Sequence, residues 1–299
     1  MSDTPASLSH QIGSATDLQS VVRTMKAMAA SRANQCDNAV RALADYERTV
    51  HLALTASLRS PTPPWLADHP AAPPAPSRSA AVIAVVFGTD QGLVGQFNET
   101  LAEVVAAQLA PLPGQTEVWT VGARMPERLT DLGLTLGESF ALPSAMEAIT
   151  PLVGRILVAL EKRQKRGWAG QVLLFHHQPQ VDAGHAPARQ HLLPLDEAWQ
   201  RTLIAQRWPT AQLPEVLSPG QTTLLALVRE YLFVSLFRAC AQSMASENAS
   251  RLSAMQRAEK NIDELLDDLR QGYNRLRQGS IDEELFDLIA GFEALSPPD

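Results

Sequence analysis

The sequence predicts an α/β fold combined with a long coiled coil: an antiparallel pair of terminal helices with a Rossmann-like α/β domain inserted between them. Three observations predict it. Residues 17–59 lack glycine and proline and place apolar or small side chains in alternating steps of three and four, which keeps one stripe on a partner helix. Residues 220–295 contain no proline and carry a second such stripe. Between them, apolar runs alternate with helix-like segments and glycine-punctuated turns, the pattern of a doubly wound sheet.

Composition narrows the function. Of 299 residues, 45% are hydrophobic, which supports a real core and excludes wholesale disorder. A net charge of −7 argues against nucleic acid as a partner. Two cysteines, Cys36 and Cys240, cannot make a disulfide framework and favour a reducing compartment. The first twenty residues do not read as a signal peptide. The most apolar window, 224–240, holds Arg229, Glu230 and Arg238, so no membrane span is expected.

The first helix occupies residues 1–60. Its expected seam is Leu18, Val22, Met25, Ala29, Cys36, Ala39, Leu43, Tyr46, Val50 and Ala53, with Arg32 at one seam position. Some 43 residues would span roughly 65 Å. Residues 61–79 hold seven of the chain's 21 prolines (61, 63, 64, 70, 73, 74 and 76) and read as an extended linker.

The α/β insert covers 80–196. Strands are expected at 80–87, 117–121, 134–140, 171–177 and 190–195, with a helix at 98–109. Ser144 and Glu147 form a capping-box pair that would open another helix running to about residue 166. A connection at 197–217 leads to the C-terminal helix, 218–299, with Ser218 as N-cap and Pro219 in the first turn. Its seam runs Leu252, Met255, Glu259, Ile262, Leu266, Leu269, Tyr273, Leu276, then Ile281, Leu285, Leu288 and Phe292.

No catalytic constellation emerges. The turn Gly88–Gly95 lacks both the dinucleotide fingerprint and the Lys-Ser/Thr ending of a P-loop, so its glycines read as turn formers, with nucleotide binding the alternative. His176, His177, His185 and His191 lie near Asp182 without metal-ligand spacing and read as solvated loop histidines. No cofactor, metal or catalytic residue is assigned.

Four stretches together resemble the gamma subunits of F-type ATP synthases. These are Thr24-Met-Lys26-Ala27-Met28-Ala-Ala, Asp90-Gln-Gly92-Leu93-Val-Gly95-Gln-Phe-Asn98, His191-Leu-Leu-Pro-Leu195, and Ala245-Ser-Glu247-Asn-Ala-Ser-Arg251 followed by Arg277-Gln278-Gly-Ser-Ile281. Their order and spacing fit nearly the whole chain. Gln91, Val94, Gln96 and Asp282 depart from the family pattern and mark a divergent branch, of which the alternative bacterial F-type ATPase is one example. The resemblance implies a non-catalytic central rotor shaft, inside a ring of alpha and beta subunits, resting with epsilon on the membrane c-ring at the cytoplasmic face of a bacterial inner membrane. It implies contact with beta at Met28, Arg277 and Gln278. A nucleotide-dependent enzyme built on the insert and a coiled-coil scaffold are the alternatives left by the residues alone.

Overall fold

The computed structural model describes residues 4–59, 81–168, 170–180, 184–195, 197–212, 214 and 221–295. The expected linker at 61–79 and the Ser218–Pro219 cap lie outside the described residues. Two compact units result: Ala30–Ser250, and Met1–Ala29 with Arg251–Asp299. Helices α1 (Pro5–Arg59) and α6 (Gln221–Leu295) contribute to both.

The Ala30–Ser250 unit is built on a five-stranded sheet ordered β3-β2-β1-β4-β5. Strands β1 (Val82–Phe87), β2 (Thr116–Val121), β3 (Leu136–Phe140) and β4 (Gln171–Gln180) are parallel, and β5 (Gly184–Leu193) closes the edge antiparallel to β4. Every residue of β1 is buried, as its unbroken apolar run requires of a strand covered on both faces. On one face, Val82, Ala84, Val86 and Leu173 pack with Leu101 and Val105 of α2 (Phe97–Leu109) and Met125 and Leu129 of α3 (Met125–Asp131). On the other, Ile83, Val85, Phe87 and Trp119 pack with Leu152 and Ile156 of α4 (Ile149–Lys165), and with Val50 and Leu54 of α1 and Val234 and Leu236 of α6. Both terminal helices therefore act as a cover layer of the sheet in this unit.

Several expectations change. The Ser144 capping box does not form: a 3₁₀ turn, Met146–Ala148, precedes α4, and its N-cap Ala145 carries no side-chain cap bond. The expected connection at 197–217 contains a helix, α5 (Glu197–Ala205). The hairpin β4–β5 is longer than expected at both facing ends.

The larger correction concerns the α1 seam. Leu18 and Tyr46 are exposed, as is Arg32. Up to Val50 the buried positions are Leu8, Ala15, Val22, Ala29, Cys36 and Val50, and the partly buried positions between them include Ile12, Gln19, Met25, Lys26, Ala33, Ala39, Val40, Leu43 and Glu47. Leu18, Arg32 and Tyr46 leave the seam, whereas Met25, Ala39, Leu43 and Ala53 are partly buried where expected. After Val22 both Met25 and Lys26 are partly buried, Met25 packed against the apolar seam and Lys26 on Glu259. A rotation of one residue is about 100° on a helix, which carries Leu18 from the seam to solvent.

Candidate functional site

The unit of Met1–Ala29 and Arg251–Asp299 contains all three residues that the resemblance singles out. Its apolar seam is thin: Ala15 and Val22 of α1 meet Met255, Ile262 and Leu266 of α6. Polar pairs flank it. Arg23 donates from Nε to Glu259 Oε1 at 2.9 Å, Lys26 donates to the other oxygen of Glu259, and Gln19 donates to Asp263. Partners ascend on α6 as they descend on α1, so the helices run antiparallel here. The two cations hold the Glu259 carboxyl below its ordinary pKa, Lys26 through its hydrogen bond first. Sequence reasoning missed Gln19 and Lys26 because an apolar search skips polar seam residues. The available signal was charge complementarity: cations on α1 facing an acid at an expected seam position of α6.

Met28 is exposed on α1. Arg277 and Gln278 are exposed on α6, 18 or more residues beyond Glu259, which amounts to roughly 27 Å along the helix. The structure therefore groups Arg277 with Gln278 and keeps Met28 apart from both. From Asn274 through Ile289 every α6 residue is exposed, among them Ile281, Leu285, Phe286 and Leu288. The α6 seam holds as far as Tyr273, and the expected continuation through Leu276, Ile281, Leu285 and Leu288 covers nothing within the described residues. The side chain of Phe292 lies outside them.

The glycine turn is occupied by its own chain. Asn98 accepts from the Thr89 amide at 3.2 Å and donates from Nδ2 to Thr89 Oγ1 at 2.8 Å. Asp90 accepts the Ala123 amide at 2.8 Å. Ser250 of α6 donates to the Val94 carbonyl at 2.5 Å, and buried Val94 and Phe97 anchor the turn. Glycine is required where the β1 and β2 turns meet: Gly122 has φ +104°, and a Cβ there would come within 2.9 Å of the Thr89 backbone. This arrangement builds a junction between sheet and helix that the turn's own side chains hold together.

Against the expectation of solvated loop residues, His176 and His177 are buried within β4, whereas on β5 His185 is partly buried and His191 exposed. His177 donates from Nε2 to the Phe97 carbonyl at 2.9 Å, so its Nδ1 accepts from His185 Nδ1 at 3.1 Å. His176 pairs with Gln242 at 3.0 Å. Burial pushes His176 and His177 down to about 4, and it also lowers His185. No group of three or more metal-ligating side chains converges among the described residues. Cys36 and Cys240 are buried thiols, Cys36 raised to about 11 by desolvation, which leaves little thiolate for chemistry. No described helix is long and apolar enough to cross a membrane.

Comparison with known proteins shows the family. Residues 4–295 match the family model described as ATP synthase. The chain is 27% identical over 289 residues to the ATP synthase gamma chain of Anaeromyxobacter dehalogenans, covering 95% of this chain and 97% of that one. It is 28% identical to the gamma chain of Granulibacter bethesdensis over 309 residues, with 95% and 97% covered. Its fold resembles a chain of the Euglena gracilis mitochondrial ATP synthase rotor, with a TM-score of 0.65 at 15% identity, over 93% of this chain and 98% of that chain. A chain of the Tetrahymena thermophila central stalk and c-ring structure aligns with a TM-score of 0.54 at 20% identity, over 80% and 99%. On the match across nearly its full length, the chain belongs to the ATP synthase family, and within it resembles the gamma chains.

Proposed function

We propose that this chain is the gamma subunit of an F-type ATP synthase, the rotating element that couples ion flow through a c-ring to ATP synthesis or hydrolysis on alpha and beta subunits. The observation that carries the reading is the exposed end of α6. Residues Asn274 through Ile289 place Ile281, Leu285, Phe286 and Leu288 in solvent, within the stretch that matches the family. Exposed apolar side chains grouped at one end of a helix mark a surface meant for another protein. The subunit performs no chemistry itself. Turning presents Met28 on one helix and Arg277 with Gln278 on the other to successive beta subunits, and each beta conformation is favoured by the contacts it makes at that angle. Epsilon and the c-ring hold the rotor at the cytoplasmic face of the bacterial membrane, where it is peripheral.

The test is Arg277→Ala with Gln278→Ala. Both side chains are exposed, so stability should change by less than about 0.5 kcal/mol. Hydrogen bonds to a charged partner are worth roughly 1.5–3 kcal/mol each, enough to shift the balance of beta states tenfold. The double variant should co-purify with alpha and beta yet lose most ATP-driven pumping in reconstituted vesicles. Pumping equal to that of Arg270→Ala would remove these residues from the coupling contact. Failure of the wild-type chain to co-purify with alpha and beta, or ATP hydrolysis by the chain alone, would remove the reading itself.

A further inference from the structure

Within the Ala30–Ser250 unit, α6 bonds the sheet through polar side chains that meet the strands in spatial order. Arg238 donates to Gln190 of β5 at 3.4 Å, and Gln242 pairs with His176 of β4 at 3.0 Å. Ser243 donates to the carbonyl of Phe87, the last residue of β1, at 3.1 Å. Ser250 then donates to the Val94 carbonyl at 2.5 Å, in the turn that follows β1. The two serines are seven residues apart, about two turns, so they share one side of the helix. We propose that Ser243 and Ser250 are positioning residues that tie the Gly88–Gly95 turn to α6, so that the exposed Leu93 takes its place from the helix and not from the sheet alone.

The backbone of the turn supplies the reason. Leu93 has φ +63° and is 60% exposed. A non-glycine residue in the left-handed region persists only where its surroundings over-determine it, and a side chain in solvent supplies no burial to hold it there. The constraints come from its neighbours. On the sheet side, Asp90 accepts the Ala123 amide, and Asn98 bonds both the amide and the hydroxyl of Thr89. On the helix side, Val94 is buried and its carbonyl takes the Ser250 hydroxyl, one residue from Leu93. Packing alone would hold the register weakly. The buried α6 residues Ala239, Cys240, Ala241 and Ala245 are small and make shallow ridges. Directional hydrogen bonds two turns apart resist both sliding and rotation of the helix. Ser243 sets the register of α6 on β1, and Ser250 carries it to the turn, so a shift of the helix displaces Val94 and Leu93 with it. The same helix bears Arg277 and Gln278. For its place in coupling, and for that step only, the inference rests on the rotor reading.

The experiment measures distances in the full-length chain between nitroxides on cysteines introduced in pairs at exposed positions: Gln91 in the turn, Glu103 on α2 and Ala226 on α6. The two native thiols are buried. Ser250 is partly buried, so Ser250→Thr and Ser250→Val add equal bulk and differ in the hydroxyl. Ser250→Val should raise the population of displaced turns, read as the broad component of the Gln91–Ala226 distribution, about fivefold, the worth of one hydrogen bond. Ser250→Thr should keep the wild-type distribution. The Glu103–Ala226 distribution should stay narrow in both and broaden in Ser243→Ala. A Gln91–Ala226 distribution unchanged in Ser250→Val would mean that the sheet alone fixes the turn, and would overturn the proposal. Equal broadening in Thr and Val would overturn it in favour of bulk, and broadening of Glu103–Ala226 in Ser250→Val would mean a loosened helix instead. In the complex with alpha and beta, Ser250→Val should pump about twofold less per ATP hydrolysed than Ser250→Thr. Equal pumping would overturn the role in coupling. Failure of the wild-type chain to assemble would count against the rotor reading and leave the distance result standing.

Discussion

The same two helices are used in opposite ways by the two units. In Ala30–Ser250, α1 and α6 lie on a sheet, and their buried residues (Cys36, Val50, Leu54, Val234, Leu236 and Ala239) join one core with Trp119, Leu152 and Ile156. In the other unit the helices have only each other. Their shared core comprises Ala15, Val22, Met255, Ile262 and Leu266, and polar pairs stand where further apolar residues would otherwise sit. The lesson is about where stability resides. A helix backed by a sheet draws on tertiary burial, while a two-helix seam of small residues depends more on propensity, polar register and outside partners.

Truncations in the two cores test that contrast most strongly. Trp119→Ala removes a fully buried indole and should lower global stability by about 3–5 kcal/mol. Ile262→Ala should cost nearer about 2 kcal/mol. Its main effect should appear as faster amide exchange confined to residues 5–29 and 251–273. Exchange that rises equally throughout the chain would mean one cooperative unit, and the contrast would be lost.

Acid should strike the sheet unit next. His176 and His177 titrate near 4 when folded and near 6.5 when unfolded. Above pH 6.5 both states are neutral and nothing is lost. Between about 6.5 and 4 the unfolded chain binds protons that the folded chain refuses, so stability falls by roughly 2 kcal/mol per histidine at pH 5. Below 4 the loss levels off. His177→Phe should flatten the slope of urea midpoint against pH between 7 and 5, and an unchanged slope would place the linkage elsewhere.

Much of this contrast was legible in the sequence, and its gaps have physical causes. The buried strands declared themselves because a strand covered on both faces needs an unbroken apolar run, as at Val82–Phe87. The α6 seam through Met255, Ile262 and Leu266 was legible for the corresponding reason. The places of Gln19, Lys26 and Glu47 in the α1 seam were not, because these are polar residues that enter a seam only through partners 191 or more residues away. Helix α3 is seven residues long, too short to establish a period. The Ser144–Glu147 pair had the right spacing, but the chain enters α4 through a 3₁₀ turn instead. Of the contact residues, the exposure of Met28, Arg277 and Gln278 follows from helix phase. Their roles came only through resemblance, since an exposed arginine on a helix carries no signature of its partner.

Glu259 gives a smaller and more specific test. Its carboxyl is held below its ordinary pKa by Lys26 and Arg23. The pairing contributes above the unfolded carboxylate value and is lost as pH falls through the lower folded one. Both cations are substantially exposed, so salt should screen the effect. Glu259→Gln should lower thermal stability slightly at pH 7 and low salt, with the difference vanishing in acid and at high salt. A difference that persists at high salt would make Glu259 a packing residue.

The smallest expected effect sharpens the contrast most. Leu285 and Leu288 are 53% and 72% exposed, so Leu285→Ser with Leu288→Ser removes almost no burial from the chain itself. The urea midpoint of the isolated protein should correspond to a change below about 0.5 kcal/mol. If this end of α6 is instead covered by alpha and beta subunits, each leucine is worth about 1.5–3 kcal/mol in the complex, and the variant should assemble at least tenfold more weakly. The two measurements must diverge. A midpoint that falls as far as that of Ile262→Ala would mean that the segment packs against its own chain. Unchanged stability with unchanged assembly would mean that its apolar surface is left exposed in the complex. Only loss of assembly without loss of folding places the missing half of this seam on another subunit.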